Sequence, residues 1–208
     1  MLKFQSPNII EVGVDECARG VLFGRLYSAA VIYPKDGVPY NIESIINDSK
    51  QLSIKKRNLI YETLIKNLKY SVSYIENNEI DEYGIQICNY KAFHNAIDGL
   101  NIKPDKILVD GRCFKEYYFN NKLIEHECIV RGDGKYLSIA CASIIAKVEH
   151  DRYIIQLKDH LILKKDGESI LFPEHIGLFN SAYENYLKNR FIGSGVKSFR
   201  ETCKSNNS

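Results

Sequence analysis

"NIIEVGVDECARG", from Asn8 to Gly20, opens as a strand and closes as something else. Ile9, Ile10, Val12 and Val14 supply the apolar, β-branched residues that favour a half-buried extended chain. Asp15 and Glu16 follow back to back, then Cys17, Ala18, Arg19 and Gly20. Adjacent carboxylates repel, and a carboxylate drawn partly out of water is costly without a partner. A simple turn would be better served by one neutral side chain. The pair asks for a cation.

Two further acids sit in similar places. "DKILVDG" (Asp105–Gly111) puts Asp110 after a short apolar strand. Asp133 lies in "VRGDGK", between the strand "IEHECIV" (Ile124–Val130) and an Ala-rich helix. In α/β sheets, functional groups gather at strand ends and the loops beside them. Four carboxylates from three element ends could meet at one point, and they would repel each other unless they held cations. Oxygen donors without His or Cys favour hard ions, Mg²⁺ or Mn²⁺. Two such ions about 4 Å apart form the usual clamp for in-line phosphodiester hydrolysis. Taken singly, each acid also reads as a turn residue or helix N-cap, Asp133 above all. Spacing alone leaves both readings open.

The rest of the chain supplies a frame for these acids. "RLYSAAVIY" (Arg25–Tyr33) reads as a second strand, ended by a loop with Pro34, Asp36-Gly37 and Pro39. Ser53 is a good N-cap for a helix in which Leu59, Ile60, Leu64, Ile65 and Leu68 recur at helical spacing. "SVSYI" (Ser71–Ile75) reads as a third strand, and Ile80 to Leu100 as a helix with a weak point at Gly84. A long helix follows Asp133, dense in small residues: Ala140, Cys141, Ala142, Ser143 and Ala146. Such a stretch lets a helix pack close to a sheet. "SAYENYLKNRF" (Ser181–Phe191) reads as a last helix. Strands interspersed with helices predict an α/β domain with a mixed sheet.

Composition excludes other classes. The 208 residues suffice for a sizeable core, with 45% hydrophobic and 26% charged residues. No apolar run approaches the roughly 18–20 residues that cross a bilayer. The opening "MLKFQSPNII" is too short and polar for a signal peptide. A soluble, cytoplasmic protein is expected. The six cysteines (Cys17, Cys88, Cys113, Cys128, Cys141, Cys203) include no C-x-x-C pair, so neither a zinc site nor a redox motif is indicated. From Lys188 onward five basic residues face one acid, Glu201. That tail reads either as part of a polyanion-binding face or as a solvated terminus.

Read together, the motifs carry a family resemblance. "VGVDECARG" resembles the D-E-x-G-R-G opening of ribonuclease HII, the type 2 ribonuclease H family. "INDSKQLSIKKRNLIYETL" is similar to its NDSK-x-L-S-x-K-K-R segment, and "LVDG" to its V-D-G. "RGDGKYLSIACASIIAKVEHDR" resembles its G-D-x-K-x-x-S-I-A-A-A-S-I-I-A-K-V-x-R-D block. "HIGLFNSAYENYL" and "GSGVKSF" follow the C-terminal pattern more loosely, so the resemblance runs from Val12 to Phe199.

The resemblance implies a ribonuclease H-like α/β fold, with a mixed central sheet flanked by helices and a C-terminal helical segment. One catalytic domain would span residues 1–200, with about 160–200 as a helical part that contacts substrate and 201–208 as a flexible tail. It implies a metal-dependent endonuclease that hydrolyses the RNA strand of RNA–DNA hybrids. It would also cut 5′ to ribonucleotides embedded in DNA, leaving 5′-phosphate and 3′-hydroxyl ends. The family's catalytic, metal-binding acids fall on Asp15, Glu16, Asp110 and Asp133, holding Mg²⁺ or Mn²⁺ in a two-metal arrangement. Its partners would be hybrid duplexes and ribonucleotide-containing DNA, not a membrane, and a monomer is expected. The other reading is a catalytically weak or inactive hybrid-binding protein of the same fold; the presence of all four acids opposes it.

The implied substrate residues include two departures from the family. Ala18-Arg19-Gly20 stands where the family has Gly-Arg-Gly, a loop that reads the 2′-hydroxyl through its backbone. The methyl of Ala18 disfavours a positive φ. A negative φ would leave the loop unchanged; a positive one would strain it and perturb the readout. Leu178 stands where the family has a Tyr that stacks on the deoxyribose after the ribonucleotide, with Phe179 one step on as the candidate substitute. Asp48, Ser49 and Lys50 match the family's D-S-K and are expected at a substrate phosphate, though Ser49 also reads as a loop cap. Lys147 is expected either near the acids and the nucleic-acid backbone or on the helix surface. Ser143 is expected to pack the helix.

Overall fold

The acid-bearing strand lies at the centre of the sheet. The computed structural model describes residues 1–20, 24–47 and 49–163, with side chains in the last helix described as far as Gln156. In chain order the elements are β1 (Glu11–Cys17), β2 (Leu26–Ile32), α1 (Tyr40–Glu43), α2 (Ile54–Asn67) and β3 (Lys69–Ile75). Then come α3 (Asn77–Tyr83), α4 (Ile85–Gly99), β4 (Lys106–Asp110), β5 (Tyr118–Phe119), β6 (Lys122–Leu123), β7 (Glu125–Ile129) and α5 (Leu137–Leu163). Five strands form one sheet in the order β3-β2-β1-β4-β7. β1 pairs antiparallel with β2 and parallel with β4, so the sheet is mixed, as the alternation of elements predicts.

The period of two along β1 sorts its residues between two helical layers. Val12 and Val14 join Ile107 and Val109 of β4 against Phe93, Ala96 and Ile97 of α4. The opposite face of the sheet receives α5, whose Ala140, Ile144 and Ile145 pack with Ala29 and Val31 of β2 and with Ile60, Tyr61 and Leu64 of α2. α5 is thus buried between the sheet and α2. Its small residues serve the expected purpose. A Cβ built on Gly13 would lie 2.4 Å from the Ser138 carbonyl carbon, a separation only glycine permits.

Local signals hold where their cause is local. Ser53 caps α2, its hydroxyl accepting from Lys56 N–H at 3.3 Å. Gly84, at φ +80°, splits the expected helix into α3 and α4. Leu59 differs: it is 57% exposed, because the buried stripe of α2 runs through Arg57, Ile60, Tyr61 and Leu64. The β5–β6 hairpin is not foreshadowed by the apolar pattern; Asn120 and Asn121, both at positive φ, form its turn.

β1 also corrects the reading of its own end. Asp15 and Glu16 lie within the strand rather than after it, while Ile9 and Ile10 precede it and are exposed. Pairing with β2 continues through Glu16–Ser28 and Cys17–Tyr27, whereas the parallel ladder with β4 ends at Val14–Val109. Past that point β1 is hydrogen-bonded on one side only, and its acids stand beside the gap. Among the described residues, no helix is long and apolar enough to cross a membrane. Asp48, Leu178, Phe179, the final helix expected at Ser181–Phe191 and the tail all lie outside the described residues.

Candidate active site

Register brings two acids side by side. Val14 pairs with Val109 in parallel strands, so Asp15 and Asp110 each follow a paired residue on neighbouring strands and share the α5 face. Asp110 closes β4 opposite Ile129 of β7. The chain leaving β7 turns through Arg131, at φ +56°, into a 3₁₀ turn (Gly132–Gly134) that carries Asp133. Gly132 N–H donates to Asp110 Oδ1 at 2.7 Å, tying that turn to β4. The N-terminal segment braces its far side: Leu2 N–H donates to the Lys135 carbonyl at 2.8 Å, and Leu137 N–H to the Leu2 carbonyl at 2.9 Å.

Electrostatics shows how close the four acids stand. Asp15 is 4% exposed, and its carboxyl is pushed well above the usual range. Burial is the main cause, followed by the charges of Glu16 and Asp110 and, more weakly, Asp133. A hydrogen bond with Ser143 opposes the shift. Glu16 is raised by burial and by the Asp110 charge, against relief from Arg19 and Lys50. Its own N–H donates to Asp15 Oδ1 at 2.7 Å. The four are electrostatic neighbours rather than a finished cage: among the described residues no group of three acidic, His or Cys side chains is already arranged to hold an ion. The donor set nonetheless suits a hard divalent cation. It offers carboxylate oxygens only, one of them buried in need of positive charge. Burial pushes the adjacent Cys17 thiol up to about 12, so it stays protonated in the metal-free chain, and a soft sulfur suits a hard ion less well than the carboxylates beside it.

The expected substrate residues divide. Ala18 takes φ +83° and is buried, so of the two outcomes the strained one holds. The exposed Arg19 donates to Gln86 Oε1 at 2.5 Å, and Gly20 borders open space. Lys50 is exposed, and its charge reaches Glu16. Ser49 is buried, and its Oγ lies 2.9 Å from Ser143 Oγ. Lys147 is not on the helix surface: it is 9% exposed and donates to Asp151 Oδ1 at 2.6 Å.

Sequence reasoning missed two residues. Ser143, expected only to pack, links the Asp15 carboxylate to Ser49. Arg57, the last residue of the K-K-R in the motif that follows the Ser53 cap and given no role on sequence grounds, is 2% exposed. It donates to the Ser49 carbonyl at 2.8 Å and to Asp151 Oδ2 at 3.1 Å. Two local hints exist: its place in the K-K-R of the motif, and a basic residue one turn ahead of a buried Ile and Tyr.

Comparison with known proteins accords with this geometry. The family model for ribonuclease HII matches residues 12–169. Ribonuclease HII of Bacteroides thetaiotaomicron is 41% identical over 160 residues, covering 76% of each chain. That of Cytophaga hutchinsonii is 42% identical over 163 residues, covering 77% of each. The crystal structure of ribonuclease H2 from Pyrococcus horikoshii superposes with a TM-score of 0.64 at 26% identity, covering 94% of this chain and 99% of that one. A mixed sheet with its acids at the β1–β4 junction, matched over most of its length by these relatives, places the chain in the ribonuclease HII family, as a ribonuclease H endonuclease.

Proposed function

We propose that Asp15, Glu16, Asp110 and Asp133 are the catalytic acids and hold two divalent cations, Mg²⁺ or Mn²⁺. The observation that carries this is the buried Asp15 carboxylate, pushed up by burial and three other acids delivered from β1, β4 and the 3₁₀ turn. Protein stability alone gives no reason to collect like charges there. The bound ions would supply a hydroxide nucleophile at neutral pH and charge stabilisation for the leaving 3′-oxygen.

The chain's own residues do the rest. Ser143 donates to Asp15 and favours its ionised form. Arg19 and Lys50 lie near Glu16, so the cluster's rim is positive where its centre is negative. A phosphodiester backbone entering there meets cations first. The substrate is the RNA strand of an RNA–DNA hybrid, and DNA at the 5′ side of an embedded ribonucleotide, leaving 5′-phosphate and 3′-hydroxyl ends. Ala18, Arg19 and Gly20 read the 2′-hydroxyl, the group that separates RNA from DNA. Asp48, Ser49 and Lys50 hold a phosphate, Lys147 supports this surface through Asp151, and Leu178 and Phe179 contact the sugar beyond the junction. All four acids come from one chain, so a monomer suffices, acting in the cytoplasm.

The strained Ala18 and the Leu that replaces a stacking Tyr at 178 favour a preference for hybrid over a lone ribonucleotide. The test is the ratio of cleavage rates on a hybrid and on DNA with one ribonucleotide, for wild type and Leu178→Tyr. The variant should raise relative cutting at the lone ribonucleotide. An unchanged ratio would refute the role given to residue 178.

A further inference from the structure

Arg57 is a buried cation whose acidic partner lies 94 residues away. It sits in the first turns of α2, and its guanidinium works at both ends. Nη1 donates to the Ser49 carbonyl at 2.8 Å, and Nη2 reaches Asp151 Oδ2 on α5 at 3.1 Å. Asp151 also receives Lys147 Nζ at 2.6 Å. Burial alone would push the Asp151 carboxyl up, but His150, Lys147 and Arg57 hold it below its usual range. Burial pushes the His150 imidazole below its usual range, against the opposing pull of Asp151. The turn that Arg57 grips is held a second time, through Ser49 Oγ to Ser143 Oγ at 2.9 Å, and Ser143 reaches Asp15. Lys50, next in the chain, is exposed, so fixing Ser49 fixes where its side chain leaves the turn.

We propose that Arg57 is a positioning residue: with Asp151 it clamps the Ser49–Lys50 turn onto α5, so that the Lys50 ammonium stands beside the acid cluster to meet a substrate phosphate. This rests on the reading of Lys50 as a phosphate contact. Burying an ion pair seldom improves on well-packed apolar residues, so stability is a weak reason for it here. Geometry is a better one. A planar guanidinium holds its donors in a fixed fork, here one on a backbone carbonyl and one on a carboxylate, so it sets the angle between them in a way that the freely rotating ammonium of a lysine does not. The two holds on Ser49, at its carbonyl and its hydroxyl, leave the turn little freedom relative to Asp15.

The test is a double-mutant cycle between Arg57→Gln and Lys50→Ala, with Asp151→Asn as a second route to the same clamp. Folding is checked by circular dichroism. Affinity for a labelled RNA–DNA hybrid is followed by fluorescence anisotropy from roughly 50 to 200 mM salt. In the wild-type background Lys50→Ala should weaken binding about tenfold and lower the salt slope by about one unit. With Arg57→Gln or Asp151→Asn already present, the same change should cost less than about twofold, because the ammonium is no longer held in place. KM should rise in Arg57→Gln more than kcat falls. Full additivity of Lys50→Ala on a folded Arg57→Gln or Asp151→Asn protein would overturn the clamp. If Arg57→Gln does not fold, Asp151→Asn decides. An unchanged salt slope in Lys50→Ala alone would overturn the phosphate reading, and the clamp with it.

Discussion

Replacing Asp15 by Asn should stabilise the metal-free protein while abolishing its activity. Asp15 and Asp110 each follow the last paired residues of the parallel ladder, Val14 and Val109. Two like charges about 5 Å apart at an effective dielectric of about 20 repel by about 3 kcal/mol, and the folded chain escapes this at neutral pH only by holding a proton on Asp15 at a comparable cost. Asn keeps an oxygen for the Glu16 N–H and for Ser143 but removes the charge. In EDTA at neutral pH, a gain of about 2–3 kcal/mol corresponds to a Tm rise of roughly 5–10 °C for a chain of this size. The pH dependence has a definite sign. The folded-state carboxyl is raised, so the folded chain keeps a proton that the unfolded chain has lost. Stability of the wild type therefore falls as pH climbs from about 4 towards the raised value, and the advantage of the Asp15→Asn variant grows over the same window. Added Mg²⁺ or Mn²⁺ should raise the wild-type Tm and reduce the difference, since a ligand stabilises the state that binds it. Differential scanning fluorimetry across pH, with and without metal, reads all three effects. A Tm in EDTA that is unchanged or lower in Asp15→Asn would refute the reasoning.

Three further outcomes follow from local geometry. Gly13→Ala would drive a Cβ into the Ser138 backbone at 2.4 Å, forcing α5 off β1; we expect a loss of about 3 kcal/mol in chemical denaturation and little remaining activity. At Ala18, φ +83° makes a β-branched residue costly, so Ala18→Val should lose at least about 2 kcal/mol. Ala18→Gly should leave Tm nearly unchanged, because about 1–2 kcal/mol of relieved strain is offset by a lost methyl and a freer unfolded chain. It should nevertheless raise cutting at a lone ribonucleotide relative to hybrid. Ser143→Ala removes a hydrogen bond that favours ionised Asp15, so the acid limb of the pH–rate profile should move to higher pH, with a stability loss of about 1 kcal/mol.

What could be read from the chain depended on how far away its cause lay. The Ser53 cap and the break at Gly84 are set by neighbours in sequence, and both were legible. So were the strands that lead to Asp110 and Asp133, because each is short and clearly bounded. The end of β1 was not, because acids inside a strand break its pattern; only the partner strand β2, which continues where β4 stops, keeps the chain extended there. Leu59 reads as core because its spacing fits a helical stripe, but the stripe turns towards Arg57 to meet Asp151, 94 residues further on. Ser143 looks like one more small residue in a run of them, and its meaning depends on Ser49, equally distant in sequence. The four acids could be singled out together because like charges at element ends need a shared counter-charge, and in the structure the other three act on Asp15. The residues that hold the Ser49–Lys50 turn in place were not legible, because each looks ordinary until its partner is known.

The central claim is that these four acids form one cation-dependent cleavage site. Its most direct test is the cutting of a labelled RNA–DNA hybrid by wild type and by Asp110→Asn, in Mg²⁺, in Mn²⁺ and in EDTA. The account predicts wild-type cleavage in at least one metal, leaving 5′-phosphate ends, none in EDTA, and a loss of at least about a hundredfold in the variant. Metal-independent cutting, or an Asp110→Asn protein as active as wild type, would contradict it.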